Sequence, residues 1–148
     1  MINSNRNNKK ELNQKKMTEI KKLTKISLVI LSIVYFIFGI LLVFLTEIFV
    51  GGLTGWTNPL SPRNFGGILL LGAILAVVLL RKKEWEEIKI PFAFLFSFFI
   101  MTIPIELIVT IVYSSTLPAA AISQTIMNEI IMCSLFTLGI VSYLRQRS

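Results

Sequence analysis

Histidine is absent from this 148-residue chain, and there is a single cysteine, Cys133. An intrachain disulfide is therefore impossible. Zinc and haem sites built on His or Cys pairs are excluded within one chain, so no metal or cofactor is expected. Cys133 lies inside an apolar run, where it reads as a small hydrophobe. Acids are scarce, 8 against 15 Lys and Arg, and the net charge is +7. No nucleophile with a partnering base, no phosphate-binding loop and no interposed soluble domain is found. No internal repeat emerges either. These absences put an enzymatic role last among the functions to be weighed.

Apolar residues are abundant, at 54% with a mean hydropathy of +0.74. A soluble domain of this size carries about 45–50% even when Gly is counted. The excess is concentrated in four long runs, so the solvent these segments expect is lipid. The basic residues follow the same division. Arg6, Lys9, Lys10, Lys15, Lys16, Lys21, Lys22 and Lys25 precede the first run, and others abut the ends of later runs. Charge placed at run ends marks membrane topology and contact with anionic headgroups, not nucleic-acid binding.

Residues 1–16 are rich in Asn and Lys and bury too little apolar area to fold alone, which predicts a disordered cytoplasmic tail. At about 100° per residue, Met17, Ile20 and Leu23 fall within an arc of about 120°, with Lys21, Lys22 and Lys25 opposite. Residues 17–25 thus read as a basic interfacial lead-in, continuous with the first membrane helix. Met17 is an alternative start codon. The uncharged stretch Ile26–Thr46 exceeds a signal-peptide core, and no small-x-small cleavage pattern follows, so it reads as a retained span.

The predicted fold is all-α: a four-helix transmembrane bundle over 26–148, with spans at about 26–48, 64–81, 90–113 and 119–143. The apolar part of the second, Phe65–Leu80, covers only about 24 Å at 1.5 Å per residue and borrows Arg63 and Arg81 as snorkelling ends. The first link is turn-rich. Asn58-Pro59 and Ser61-Pro62 are expected to keep it from continuing a helix. Trp56 in that link and Trp85 in the second are expected at headgroup level. Functionally the first link would cap a pocket; structurally it is a rigid connector.

The loops orient the chain. Four basic residues lie in the second link and two, Arg145 and Arg147, in the tail, on the same side as the eight before the first run. The first link has only Arg63 and the third has none. The positive-inside rule then puts both termini in the cytoplasm and the protein in the cell membrane.

Ionisable groups within lipid are costly, which singles out Glu106 and Glu129, with Glu47 and Arg63 at span ends. All four fall in the outer half of the slab. Thr102, Glu106, Thr110 and Tyr113 share one face of the third helix, and Thr125, Glu129, Cys133 and Thr137 recur every four residues on the fourth, with Gln124 and Asn128 alongside. On the first helix Ser32, Gly39 and Thr46 repeat every seven residues, with Tyr35 between. The second offers Gly66, Gly67, Gly72, Ala73 and Ala76, including the small-xxx-small pair Gly72 and Ala76. Pro104 frees a carbonyl near residue 100, just below Glu106. These residues predict a polar cluster of Arg63, Glu106, Glu129, Asn128, Thr102 and Thr125, with Glu47 reaching water by itself. Arg63 neutralises one acid, and the other holds a proton or a cation. The plain alternative is that hydroxyls and small residues are the ordinary glue of a membrane bundle.

Pro59-Leu60-Ser61-Pro62-Arg63, followed by Gly66-Gly67 at the start of a span, resembles small four-helix membrane proteins of bacteria and archaea related to the DoxX-like group. The resemblance covers about fifteen residues. Here the Arg follows the second Pro immediately, closer than in that pattern. It implies the four-helix architecture and no activity. Small multidrug transporters also have four helices and a membrane Glu, but theirs is in the first helix, where this chain has no mid-membrane acid. Their function is not carried over.

Three roles remain. The first is a non-enzymatic accessory or lipid- or partner-binding protein, alone or as a homo-oligomer. The second is a proton- or cation-coupled carrier using Glu106 and Glu129. The third is a membrane enzyme.

Overall fold

The computed structural model describes residues 19–51, 58 and 60–147. Four helices follow one another: α1 (Lys22–Phe44), α2 (Leu60–Leu80), α3 (Trp85–Val112) and α4 (Ala119–Arg147), with a π-helical turn, Glu47–Gly51, after α1. Each is long and apolar enough to cross a membrane. In hydrocarbon every backbone N–H and C=O must find its partner within the segment, so an apolar run of this length becomes a helix whatever its intrinsic propensity. The chain is a multi-pass membrane protein.

Its surface is inverted relative to a soluble protein. Ile33, Leu71, Phe94, Ile108 and Ile130 all stand exposed on the outside of the bundle, where lipid would cover them. Polar side chains are turned in: Thr24, Ser27, Thr46, Glu129, Ser142 and Gln146 are all buried.

The helices form a ring in chain order. The pairs α1–α2 and α3–α4 pack most closely, α4 closes back on α1, and α2 and α3 touch least. Glycine makes the closest pair possible. A Cβ on Gly66 would stand 3.0 Å from the Gly39 carbonyl oxygen and 2.8 Å from Leu42 Cβ. One on Gly39 would stand 3.1 Å from the Gly66 carbonyl oxygen. The two backbones meet at these residues, and any side chain would wedge them apart. Ser32 reinforces the seam by donating to the Ala73 carbonyl at 3.3 Å. Gly67, grouped with the other small residues in the sequence, faces open space.

Aromatic rings fill the opposite pair. Phe92, Phe96 and Phe99 of α3 are buried, and a Cβ on Gly139 of α4 would overlap the Phe96 ring. Trp85, at the first position of α3, is 4% exposed and packs on Phe92 and Tyr143, with ring centroids 5.6 and 5.5 Å away. Trp56 lies outside the described residues.

Several boundaries differ from the sequence reading. Helix α2 starts at Leu60, because Asn58 Oδ1 accepts the Leu60 N–H at 3.0 Å and Pro62 sits in the first turn, where its missing N–H costs nothing. With 21 residues α2 spans about 31 Å, with Arg63 near its start and Arg81 directly after its end. Helix α3 begins at Trp85, with Glu86 and Glu87 in the first turn complementing the helix dipole. Helix α4 runs past Tyr143 to Arg147.

The interfacial lead-in is also not continuous with α1. Lys21 is extended, with φ −64° and ψ 151°, and the helix starts at Lys22. Glu19 forms an isolated bridge with Glu84, and the Ile20 N–H donates to the Lys83 carbonyl at 3.2 Å. Ile20 is buried against the bundle, while the tail 1–16 and Met17 at the start of the lead-in lie outside the described residues.

Candidate functional site

In the half of the bundle away from the termini the four helices line an open-sided cavity of about 540 Å³. Phe38 (α1), Phe49 (the π turn), Phe65 (α2) and Phe98 and Phe99 (α3) form its apolar wall. Ser61 and Pro62, in the first turn of α2, also reach it. Its carboxyl and amide groups come from two helices only: Glu106 on α3, and Gln124 and Asn128 one turn apart on α4. Tyr35 lines it as well, but its hydroxyl already donates to the Leu95 carbonyl at 3.2 Å.

Helical periodicity explains this sidedness. Glu106 is on the same face as Thr102 and Thr110, the partly buried face of α3. Gln124, Asn128, Ile131 and Leu135 recur at spacings of 4, 3 and 4 and all line the cavity. Glu129 follows Asn128 and is 7% exposed, but it is not among the residues that line the cavity. Neither Glu129 carboxylate oxygen has a hydrogen-bond partner among the described residues, and neither does Asn128 Oδ1. A carboxyl so buried requires a proton or a positive partner to remain inside the bundle.

Arg63 is not that partner. It was expected beside Glu106 and Glu129, but its Nη2 binds Glu47 Oε1 at 2.5 Å. Both side chains are well exposed, 45% and 62%. No ion pair joins Arg63 to either buried acid among the described residues. The reason lies in the end of α1. The chain leaves the α-helix after Phe44 and turns through Glu47–Gly51, which swings Glu47 to the start of α2. Glu47 was expected to stand alone in water; it takes the cation instead.

Thr102 and Thr125 also fall out of the cluster. Each hydroxyl donates to its own helix, to Phe98 O at 3.1 Å and Ala121 O at 3.0 Å. This i to i−4 bond satisfies a hydroxyl in lipid without reaching a neighbour. Thr137 does the same to Cys133 O at 2.8 Å, and both Cys133 and Thr137 are exposed. A four-residue repeat drifts about 40° per step on a helix of 3.6 residues per turn, so the stripe from Thr125 to Thr137 leaves the interior. No group of three or more His, Cys, Asp or Glu able to hold a metal occurs among the described residues.

The termini end carries a second polar network that sequence reasoning missed. Gln146 Oε1 accepts the Lys21 backbone N–H at 2.8 Å and the Thr24 hydroxyl at 3.1 Å. Its Nε2 donates to the Glu19 carbonyl at 2.8 Å. Lying between Arg145 and Arg147, Gln146 resembles any residue of a charged tail. Its one distinguishing signal is that α4 can be extended past Tyr143 without meeting a helix breaker. The amide closes the bundle and has no access to the cavity.

No protein-family model, curated protein or solved structure matches the chain.

Proposed function

We propose that this protein is a non-enzymatic binding protein of the cell membrane that takes an amphipathic, lipid-like molecule into the cavity between its helices. The observation that carries this reading is the mixed cavity lining. Ligand cavities span about 300–1,000 Å³ and pair a broad apolar wall with a few convergent polar groups. The space of about 540 Å³ has that character: five phenylalanines in its apolar lining, with Glu106, Gln124 and Asn128 as its carboxyl and amide groups. An acyl or ring body would rest on the phenylalanines, and a polar end would meet the carboxyl and amide groups. The Lys and Arg asymmetry supports an orientation with both termini cytoplasmic, which places the cavity in the outer leaflet half.

Native mass spectrometry of protein extracted in mild detergent tests this reading. Wild type is expected to carry a retained lipid-sized adduct. Ile131→Trp, which fills the cavity from α4, is expected to lose it while melting at a similar temperature. Equal retention by a folded Ile131→Trp protein would overturn the proposal.

A second reading, proton- or cation-coupled transport, draws on the Glu129 carboxyl, whose oxygens have no hydrogen-bond partner among the described residues, and on Glu106 in the cavity wall. Substrate-dependent proton flux into liposomes, abolished by Glu129→Gln, would favour it over simple binding.

A further inference from the structure

We propose that the ligand is a long-chain lipid held only in part: its polar end lies in the cavity, and its alkyl chain leaves the bundle sideways between α2 and α3. The proposal rests on the cavity-binding reading above and specifies the class of its ligand and the path of its tail.

Four observations carry it. The first is continuity. A smaller space of about 260 Å³ runs along the α2–α3 seam, and Tyr35, Leu69 and Phe98 line both it and the cavity. Leu69 and Phe98 have apolar side chains with no polar tether, so their rotation joins the two spaces. The second is the opening. Neighbouring helices touch least at α2 and α3, and Tyr35 of α1 fills the back of the gap. Its ring lies against Gly72 of α2, where a Cβ would stand 2.7 Å from it, and its hydroxyl donates to the Leu95 carbonyl of α3 at 3.2 Å. The front of the gap is left to lipid: Leu71 and Phe94, which line it from the two helices, are 68% and 72% exposed.

The third observation is the chemistry of the seam. No charged residue lines it, and both of its hydroxyls are used, Tyr35 on Leu95 and Ser97 on the Phe94 carbonyl at 2.9 Å. The seam therefore takes hydrocarbon, whereas the carboxyl and amide groups are all in the cavity. The fourth is length. Glu106 in the cavity and Phe94 in the seam are twelve residues apart on α3, about 18 Å along its axis. One leaflet supplies half of a hydrocarbon core about 30 Å thick, so the path matches the chain of an ordinary membrane lipid.

The seam adds little affinity, because a chain lying there exchanges one hydrocarbon setting for another. What it supplies is room. A compact hydrophobe would use the cavity alone and be indifferent to the seam, whereas a long-chain lipid is excluded sterically once the seam is filled.

The experiment is native mass spectrometry of the full chain in mild detergent, with dissociation of the retained adduct to identify it. The wild-type adduct should contain a long alkyl chain. Ser97→Trp fills the seam from α3 at an exposed position and should cut the adduct fraction at least about tenfold. Leu71→Trp, from α2, should do the same and serves if Ser97→Trp fails to fold, as melting curves report. Ile108→Trp, on the exposed face of α3 and lining neither space, should keep the adduct. Retention by folded Ser97→Trp and Leu71→Trp proteins, with loss in Ile131→Trp, would overturn the tail path and leave the cavity reading standing. So would a wild-type adduct that has no long chain and is lost in Ile131→Trp. Equal loss in Ile108→Trp would show that any bulky residue on the lipid-facing surface strips the adduct, and would also overturn the tail path. An adduct that ignores Ile131→Trp, or none in wild type, would end the cavity reading and the tail path together.

Discussion

Gln146, in the last turn of α4, accepts a hydrogen bond from the hydroxyl of Thr24, in the first turn of α1, at 3.1 Å and across 122 residues of sequence. The same amide holds Lys21 and Glu19, so one side chain joins the last turn of α4 to the segment that leads into α1. Gln146 is 2% exposed and Thr24 fully buried. Removing the amide leaves buried donors and acceptors without partners.

Gln146→Ala is therefore expected to destabilise the protein by about 2 kcal/mol, the scale of losing one partner in a buried polar set. Gln146→Glu keeps the acceptor but sets a buried carboxylate oxygen against the Glu19 carbonyl, and should cost at least as much. Thermal melting in detergent measures both. A Gln146→Ala protein melting with wild type would show that water replaces the amide.

The α1–α2 contact makes a paired prediction at neighbouring glycines. Gly66→Ala pushes a methyl into the Gly39 carbonyl and Leu42, and should cost about 1–3 kcal/mol. Gly67→Ala meets nothing within 4 Å and should be neutral or slightly stabilising, because Ala favours helix over Gly. If the two variants melt alike, the backbones do not meet at Gly66.

Arg63→Ala separates the two partners that Arg63 might have served. Its pair with Glu47 is exposed, so loss of the guanidinium should cost less than about 1 kcal/mol. Had Arg63 neutralised a buried acid, truncation would cost about 3–5 kcal/mol. A double-mutant cycle of Arg63→Ala with Glu47→Gln should show coupling below about 1 kcal/mol, and none of either residue with Glu129→Gln.

Topology is tested by labelling. Single cysteines at Ser4, Ser61 and Ser148, with Cys133 replaced by Ala, are exposed to an impermeant thiol reagent on intact cells. Only the Ser61 position should react. Labelling of position 4 or 148, or protection of position 61, would refute cytoplasmic termini.

The four helices were legible because lipid imposes one rule on every residue of a span, and apolar runs of this length satisfy it only as helices. The ends were less legible. Pro62 is a breaker in mid-helix and a good first-turn residue, and only the Asn58 bond decides which. The place of Glu106 on the cavity wall was legible in outline, from the polar face it shares with Thr102 and Thr110, whereas Glu129, expected at similar depth, does not line the cavity. Depth does not fix direction around the axis, however. Arg63 and Glu47 met because the chain departs from α-helix after Phe44, a change no spacing announced. The Thr residues misled because a hydroxyl satisfied by its own helix has the same spacing as one that reaches across. The role of Gln146 depends wholly on which helix ends come together.

The slender contact between α2 and α3 bears on how a ligand would be dosed. A second cavity of about 260 Å³ lies along this seam, and Tyr35, Leu69 and Phe98 line both spaces. A molecule entering sideways there comes from the hydrocarbon without first shedding a shell of water. Its occupancy then follows its mole fraction in the bilayer, and its aqueous concentration matters only through partitioning. Two compounds with equal intrinsic fit would show apparent affinities separated by the ratio of their partition coefficients, and thinning the lipid with detergent would weaken both in proportion.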